Sequence, residues 1–200
     1  MAAGRVPGLC ALALAGGGAR RIGGGDKPLL RVGGRPMLAR VLDVLRAEAE
    51  AVAISANGDP ARFAAFGCPV LDDGAFAGRG PLAGVLAGLD WAAGQGADAL
   101  LTLPGDTPFA PPGLAAALAP APACAASAGR AHHLVALWPV GARDALRRFL
   151  SEAGAHPAHR FAAAIGARQV PFPLSAHDPF LNVNTPDDLA AARIISGHDG

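Results

Sequence analysis

Short apolar runs alternate with longer amphipathic ones along most of this 200-residue chain. Leu9 to Leu14 (LCALAL) is apolar throughout and stops at an alanine and glycines, the pattern of a strand buried on both faces. Pro36 to Ala47 (PMLARVLDVLRA) spaces its apolar positions three and four apart behind a proline, which predicts a helix. Ala51 to Ser55 predicts a strand, and Asp59 to Phe66 a brief helix with Asp59 as cap and Pro60 in its first position. Pro69 to Leu71 reads as a strand and Pro81 to Ala93 as a helix. Ala97 to Leu103 is a further strand, ending in Pro104-Gly105-Asp106. Beyond it the pattern predicts a helix over Pro112 to Leu118, strands over Cys124 to Ala128 and His133 to Trp138, and a helix over Ala142 to Glu152. Weaker helical spacing continues to Ile165, and a late strand covers Gln169 to Phe172. Thr185-Pro186-Asp187-Asp188-Leu189 opens a final helix, with Thr185 as N-cap and the acidic pair complementing the dipole.

Strands alternating with helices predict an α/β fold of three layers, a mostly parallel Rossmann-like sheet with helices on both faces. The length suits a single domain over residues 1–196, with a frayed polar tail at 197–200. Ala119 to Ala123, rich in proline and alanine, is the best candidate for a seam within it.

Composition then narrows the chemistry. The formal net charge is +1, so no global field points to nucleic acid or to a membrane surface. The apolar stretch near the start is too short for a signal peptide, and no run approaches the roughly 18 apolar residues of a membrane span. Cys10, Cys68 and Cys124 are far apart among apolar neighbours, which fits reduced thiols and a cytoplasmic location. Of the 17 basic residues 16 are Arg, and Lys27 is the sole lysine; Asn57, Asn182 and Asn184 are the three asparagines. In a chain skewed to Ala, Gly, Pro and Arg, Lys27 and the closely spaced Asn182 and Asn184 are candidates for positions where a substitute fails.

Three segments carry candidate chemistry. LALAGGGARRIGGGDKPLL, Leu12 to Leu30, follows the first strand with glycines, Arg20, Arg21 and Lys27. Glycine loops at strand ends expose backbone N–H groups to a phosphate, so the segment reads as a triphosphate cradle, or else as a solvated turn. It is not a P-loop, since Pro28 follows the lysine, and not a dinucleotide fingerprint, since Arg21 stands where a third glycine is needed. Asp106, after a buried strand, is placed either to hold Mg²⁺ beside substrate phosphates or to form a turn before Thr107-Pro108. Asn182 and Asn184 are two apart and share a face in extended chain, suited to orienting a substrate or to strand-end turn chemistry. Asp72-Asp73 is open to an acid–base pair or a nucleotide contact. His132-His133 and His156-x-x-His159 lack metal-site spacing and read as surface or substrate-side residues.

Taken in order, these motifs resemble the molybdenum cofactor guanylyltransferases. The matching residues are Leu14-Ala15-Gly16-Gly17, Arg20-Arg21-Ile22-Gly23-Gly24, Asp26-Lys27, Gly34-Arg35-Pro36-Met37, Asn57, Asp73, Gly80 to Gly84, Pro104 to Pro108 and Asn182 to Pro186. The resemblance implies the nucleotide-diphospho-sugar transferase type of fold, with a nucleotide-binding half at about 8–110 and a substrate-binding half at about 111–196. It implies transfer of GMP from GTP to the terminal phosphate of molybdopterin or Mo-molybdopterin, with Mg²⁺ as cofactor and pyrophosphate released. By the same resemblance Leu14, Ala15, Gly16 and Gly17 contact the nucleotide, Lys27 the phosphates, Asn57 and Asp73 the guanosine, and Asp106 the GTP–Mg²⁺. Arg21 assists the phosphate chemistry, and Arg160, Asn182 and Asn184 lie on the substrate side. Other enzymes of cofactor assembly or acceptor enzymes are implied partners. The sequence departs from the family pattern at Ile22, where Met is usual, at Gly105, where Cys is usual, and at His133, where Pro often follows His. A cytidylyl- or sugar-nucleotidyltransferase, and a non-catalytic nucleotide-binding regulator, are the alternative readings.

Overall fold

The computed structural model describes residues 5–16 and 26–198. The first strand, β1 (Leu9–Leu14), splits its side chains between two cores. Leu9, Ala11 and Ala13 face one and Cys10 and Leu12 the other, which is why the whole run is apolar. A two-residue hairpin, β2 (Arg31–Val32) and β3 (Arg35–Pro36), leads into α1 (Met37–Glu48). β4 (Ala51–Ser55) and β5 (Val70–Leu71) follow, separated by a 3₁₀ helix over Pro60–Phe66 capped by the Asp59 side chain. Then come α2 (Pro81–Gly94), β6 (Ala99–Pro104), α3 (Leu114–Leu118), β7 (Ala123–Ser127), β8 (Arg130–Pro139), α4 (Arg143–Ser151), α5 (Ala158–Ala164), β9 (Arg168–Pro171) and α6 (Pro186–His198).

Seven strands form one sheet in the order β5-β4-β1-β6-β8-β7-β9. β8 runs against its neighbours β6 and β7, and the other pairings are parallel. α1 and α3 pack on one face, and α2, α4 and α5 on the other. The α/β expectation of a mostly parallel sheet between two helical layers is therefore what the chain adopts. Two details differ. The helix expected from Pro112 begins at Leu114, because Gly113 takes a left-handed φ of 82° that no helix interior accommodates. The strand expected from His133 begins at Arg130, as the second arm of a tight hairpin whose turn residues Ala128 and Gly129 have φ of 50° and 72°. Ala119 to Ala123 runs directly into β7, and Ala121 packs on the same core as β1.

α2 lies unusually close to the sheet. A Cβ added at Gly88 would come within 2.6 Å of Leu12 Cδ2 and 2.9 Å of Leu100 Cδ2, so only glycine admits that approach. Opposite, α6 closes a third, smaller cluster, in which Leu189 and Ala192 pack with Val32, Met37 and Val183. Glu48, 2% exposed at the end of α1, accepts the N–H groups of Gly113, Leu114 and Ala115 at 2.7, 2.9 and 2.6 Å. Its carboxylate thus satisfies donors at the start of α3 that the helix cannot satisfy itself.

Candidate functional site

After β1 the chain crosses to β4 on one side, then returns to β6 on the other. That reversal opens a crevice at the carboxyl ends of the strands, where ligands of open α/β sheets bind. A cavity of about 470 Å³ occupies it, reached by Leu14 of β1, Ser55 of β4 and Pro104 of β6. Gly80, Pro81 and Gly84, at the N-terminus of the fourteen-residue helix α2, line it too, and such an end favours an anion.

Lys27 enters on a 3₁₀ turn, Lys27–Leu29, built around Pro28. Its Nζ forms an ion pair with Asp106 Oδ2 and donates to Asn184 Oδ1 at 2.7 Å. The lysine and aspartate side chains are 12% and 13% exposed, so the pair sits in the wall of the crevice, away from bulk water. Asp106 is held by a turn that starts at Pro104, with Gly105 N–H on the Leu14 carbonyl at 2.9 Å and Val183 N–H on the Asp106 carbonyl at 3.0 Å. A Cβ at Gly105 would stand 3.1 Å from Pro28 Cβ and 3.3 Å from the Leu14 carbonyl oxygen, so the Lys27 turn packs tightly against this position and a larger residue would need it to shift by a few tenths of an ångström. Asn184 and Thr185 donate their N–H groups to Asp188 at 2.9 and 2.8 Å, and Asp188 N–H returns to Thr185 Oγ1. Burial pushes the Asp188 carboxyl up, but hydrogen bonds from Asn184 and Thr185, with Lys27 nearby, outweigh it and hold it below the ordinary value.

At the other end of the crevice Asn57 and Asp73 pair reciprocally. Asn57 Nδ2 donates to Asp73 Oδ2 at 2.6 Å, and Asp73 N–H to Asn57 Oδ1 at 2.9 Å. Burial raises the Asp73 pKa, opposed by the Asn57 hydrogen bond and reinforced by Asp72. Asp72 itself caps the backbone N–H of Gly74 at 2.7 Å, so the two aspartates do not act as a facing acid–base pair. Arg62 ties the two ends together. Its guanidinium pairs with Asp26 Oδ1, next to Lys27, and donates to the backbone carbonyls of Asn57 (2.6 Å) and Asp59 (2.9 Å).

Leu14, Gly16, Lys27, Asn57, Asp73, Asp106 and Asn182 thus share one cavity, with Asn184 joined through Lys27 and Ala15 buried beside them. Gly17 and Arg21 lie outside the described residues. Arg160 does not join the group. It stands exposed on α5 with its guanidinium carbon 5.9 Å from the Phe149 ring centroid, off the lining of either cavity. A second cavity of about 230 Å³ adjoins the first through Pro104, Leu134 and Asn182 and is walled by His132, His133 and His159. Burial lowers the pKa of both His132 and His133. Two histidines are not surface residues: His132 is 8% exposed, and His156 is buried against Phe149 with its Nε2 3.1 Å from the Glu152 carbonyl. Arg62 was not marked by the sequence, because one arginine among 16 carries no signal.

Among the described residues no three His, Cys, Asp or Glu side chains gather as a metal cage. The donor set fits Mg²⁺ in its other mode, one carboxylate with the remaining positions filled by water and substrate phosphates.

The chain matches the MobA-like NTP transferase domain over residues 11–169. It is 59% identical over 185 residues to a molybdenum cofactor guanylyltransferase of Acidiphilium cryptum, covering 92% of this chain and 94% of that one. It is 47% identical over 202 residues to another from Rhodopseudomonas palustris strain BisB5, covering 96% of each. In fold it is similar to the molybdopterin-guanine dinucleotide biosynthesis protein A of Archaeoglobus fulgidus, with a TM-score of 0.73 at 22% identity over 95% of this chain and 99% of that one. A 4-diphosphocytidyl-2C-methyl-D-erythritol synthase of Anaerococcus prevotii shares the fold at TM-score 0.70 and 13% identity, over 94% of this chain and 95% of that one. With a family domain spanning most of its length and near-full-length relatives at this identity, the chain belongs to the molybdenum cofactor guanylyltransferases of the MobA-like NTP transferase family.

Proposed function

We propose that the protein transfers GMP from GTP to the terminal phosphate of molybdopterin and releases pyrophosphate. The observation that carries this is Lys27, held between Asp106 and Asn184 on the lining of the switch-point crevice, with the Asn57–Asp73 pair at its far end. The names of the relatives supply the substrates.

The attacking group is itself a phosphate, whose second pKa near 6 leaves it largely ionised at neutral pH. It needs no general base. The work lies in bringing two anions into line and neutralising them. Lys27 spends two of its three ammonium protons on Asp106 and Asn184 and directs the third at the phosphates. The α2 N-terminus adds fixed partial positive charge. Asn57 and Asp73 receive the guanosine, Asp73 accepting N–H or O–H donors. Asn182, which lines both cavities, stands between donor and acceptor and orients the acceptor without adding charge. Asp106 would hold Mg²⁺, which when bound supplies charge neutralisation at the triphosphate and the leaving pyrophosphate.

The test is pyrophosphate release from GTP or CTP, each with and without molybdopterin. Release with GTP that requires molybdopterin supports the proposal. Preference for CTP moves the chain to a cytidylyltransferase, and GTP binding without release makes it a regulator.

A further inference from the structure

Outside the chemistry assigned above lies a chain of three polar side chains, two of them buried and the third, Asp178, half-buried. Ser127, at the end of β7, is 4% exposed, and His132, on β8, is 8% exposed. Ser127 Oγ lies 2.8 Å from His132 Nε2 and donates to Asp178 Oδ1 at 2.6 Å. A hydroxyl has one proton and a carboxylate only accepts. The serine proton therefore goes to Asp178, and the His132–Ser127 bond takes its proton from Nε2. This arrangement is not a hydrolytic triad, since the serine stands between the imidazole and the acid.

Asp178 Oδ1 also accepts the N–H of Phe180 at 2.9 Å, closing a turn at the entry to the segment that carries the two asparagines. Phe180 is 1% exposed, and its ring centroid lies 5.1 Å from that of His132 and 5.0 Å from that of Phe172. Further along, Val183 is bonded to the Asp106 carbonyl, and Asn184 to Lys27 and Asp188. Residues 178–184 are thus pinned at their far end by the site itself and at their near end by this chain. Asn182 lies between the two anchorages and lines both cavities.

We propose that Ser127, His132 and Asp178 form a positioning chain that sets where Asn182 and Asn184 stand, and so fixes the seat of the phosphate acceptor. The acceptor part of this rests on the function proposed above. The three residues act through Asn182 and Asn184 and are not catalytic themselves.

Two readouts test it. In steady-state kinetics Ser127→Ala and Asp178→Ala raise the KM for molybdopterin about tenfold and leave the KM for GTP within twofold. Asp178→Asn, which keeps an acceptor oxygen for both donors, returns the molybdopterin KM to within threefold of the parent. In the ligand-free protein, hydrogen exchange at the Phe180, Leu181 and Val183 amides quickens at least tenfold in Ser127→Ala and Asp178→Ala, while α2 amides keep parental rates. Equal rises in both KM values, or parental exchange at those three amides, overturn the proposal. A parent protein that turns over no substrate defeats the proposed function instead, and the exchange comparison then decides the positioning chain alone.

Discussion

Replacing Lys27 by alanine separates catalysis from folding. The ammonium has two partners in the protein, Asp106 and Asn184. Their loss leaves one carboxylate that is 13% exposed without its cation, and one amide oxygen without its donor. Water reaches both in part, so the cost to folding is about 1–2 kcal/mol. For a chain of this length that lowers the melting temperature by roughly 2–8 °C. Catalysis loses far more. A unit charge about 4 Å from a phosphate oxygen is worth about 4 kcal/mol at an effective dielectric of 20. Water replaces part of this, and turnover falls by about 10²–10³. Adding Asp106→Asn to the variant removes the stranded charge and recovers part of the melting temperature without recovering turnover. The assay is pyrophosphate release at saturating GTP and molybdopterin, paired with thermal melting of the same samples. Turnover within threefold of the parent would refute the reasoning, and so would a melting loss beyond 15 °C, which would make the lysine structural.

Asp73→Asn raises the KM for GTP and also raises the melting temperature at neutral pH. A carboxyl whose folded pKa lies above its unfolded one costs stability once it ionises, so the gain is present at pH 7, shrinks as pH falls through the raised folded pKa, and is gone only below the ordinary value of 3.8, where both forms are protonated. Melting curves at pH 7 and at a pH below 3.8 check the sign. Glu48→Ala strands three N–H donors and costs about 3–5 kcal/mol in urea unfolding, Glu48→Gln about half as much, and neither changes the KM for GTP at a temperature where the variant is folded. Arg62→Ala raises the KM for GTP about tenfold by freeing Asp26 and the Asn57 carbonyl from each other, and Arg62→Lys does not restore it, because an ammonium lacks the fork that spans both. Steady-state GTP titrations of the two variants decide this.

β1 and β4 were legible because their physics is local, while the short β2–β3 hairpin was not expected. β1 and β4 are unbroken apolar runs that end where the chain turns polar or glycine-rich, and proline at the first turn marks the starts of α2 and α6. The β7–β8 hairpin was not legible. Its turn is Ala128-Gly129 in place of the Asn-Gly or Asp-Gly that such backbones favour, and the first residues of β8 are polar because they face Ser127 and the second cavity. With that turn missed, the reversed direction of β8 was missed too. In the site, Lys27 and the asparagines stood out by rarity, and Asp106 by its place after a buried strand. Arg62, Ser127 and Asp178 work through contacts 36 and 51 positions away, and nothing near them in the chain announces those partners.

The strand β6 bonds to β1 along one edge and to β8 along the other. The two cavities, which share Pro104 of β6 and Leu134 of β8, therefore rest on a single continuous floor. Under the proposed function the sheet itself sets how far apart donor and acceptor are held, and insertions in surface loops on either flank can retune affinity without altering that distance.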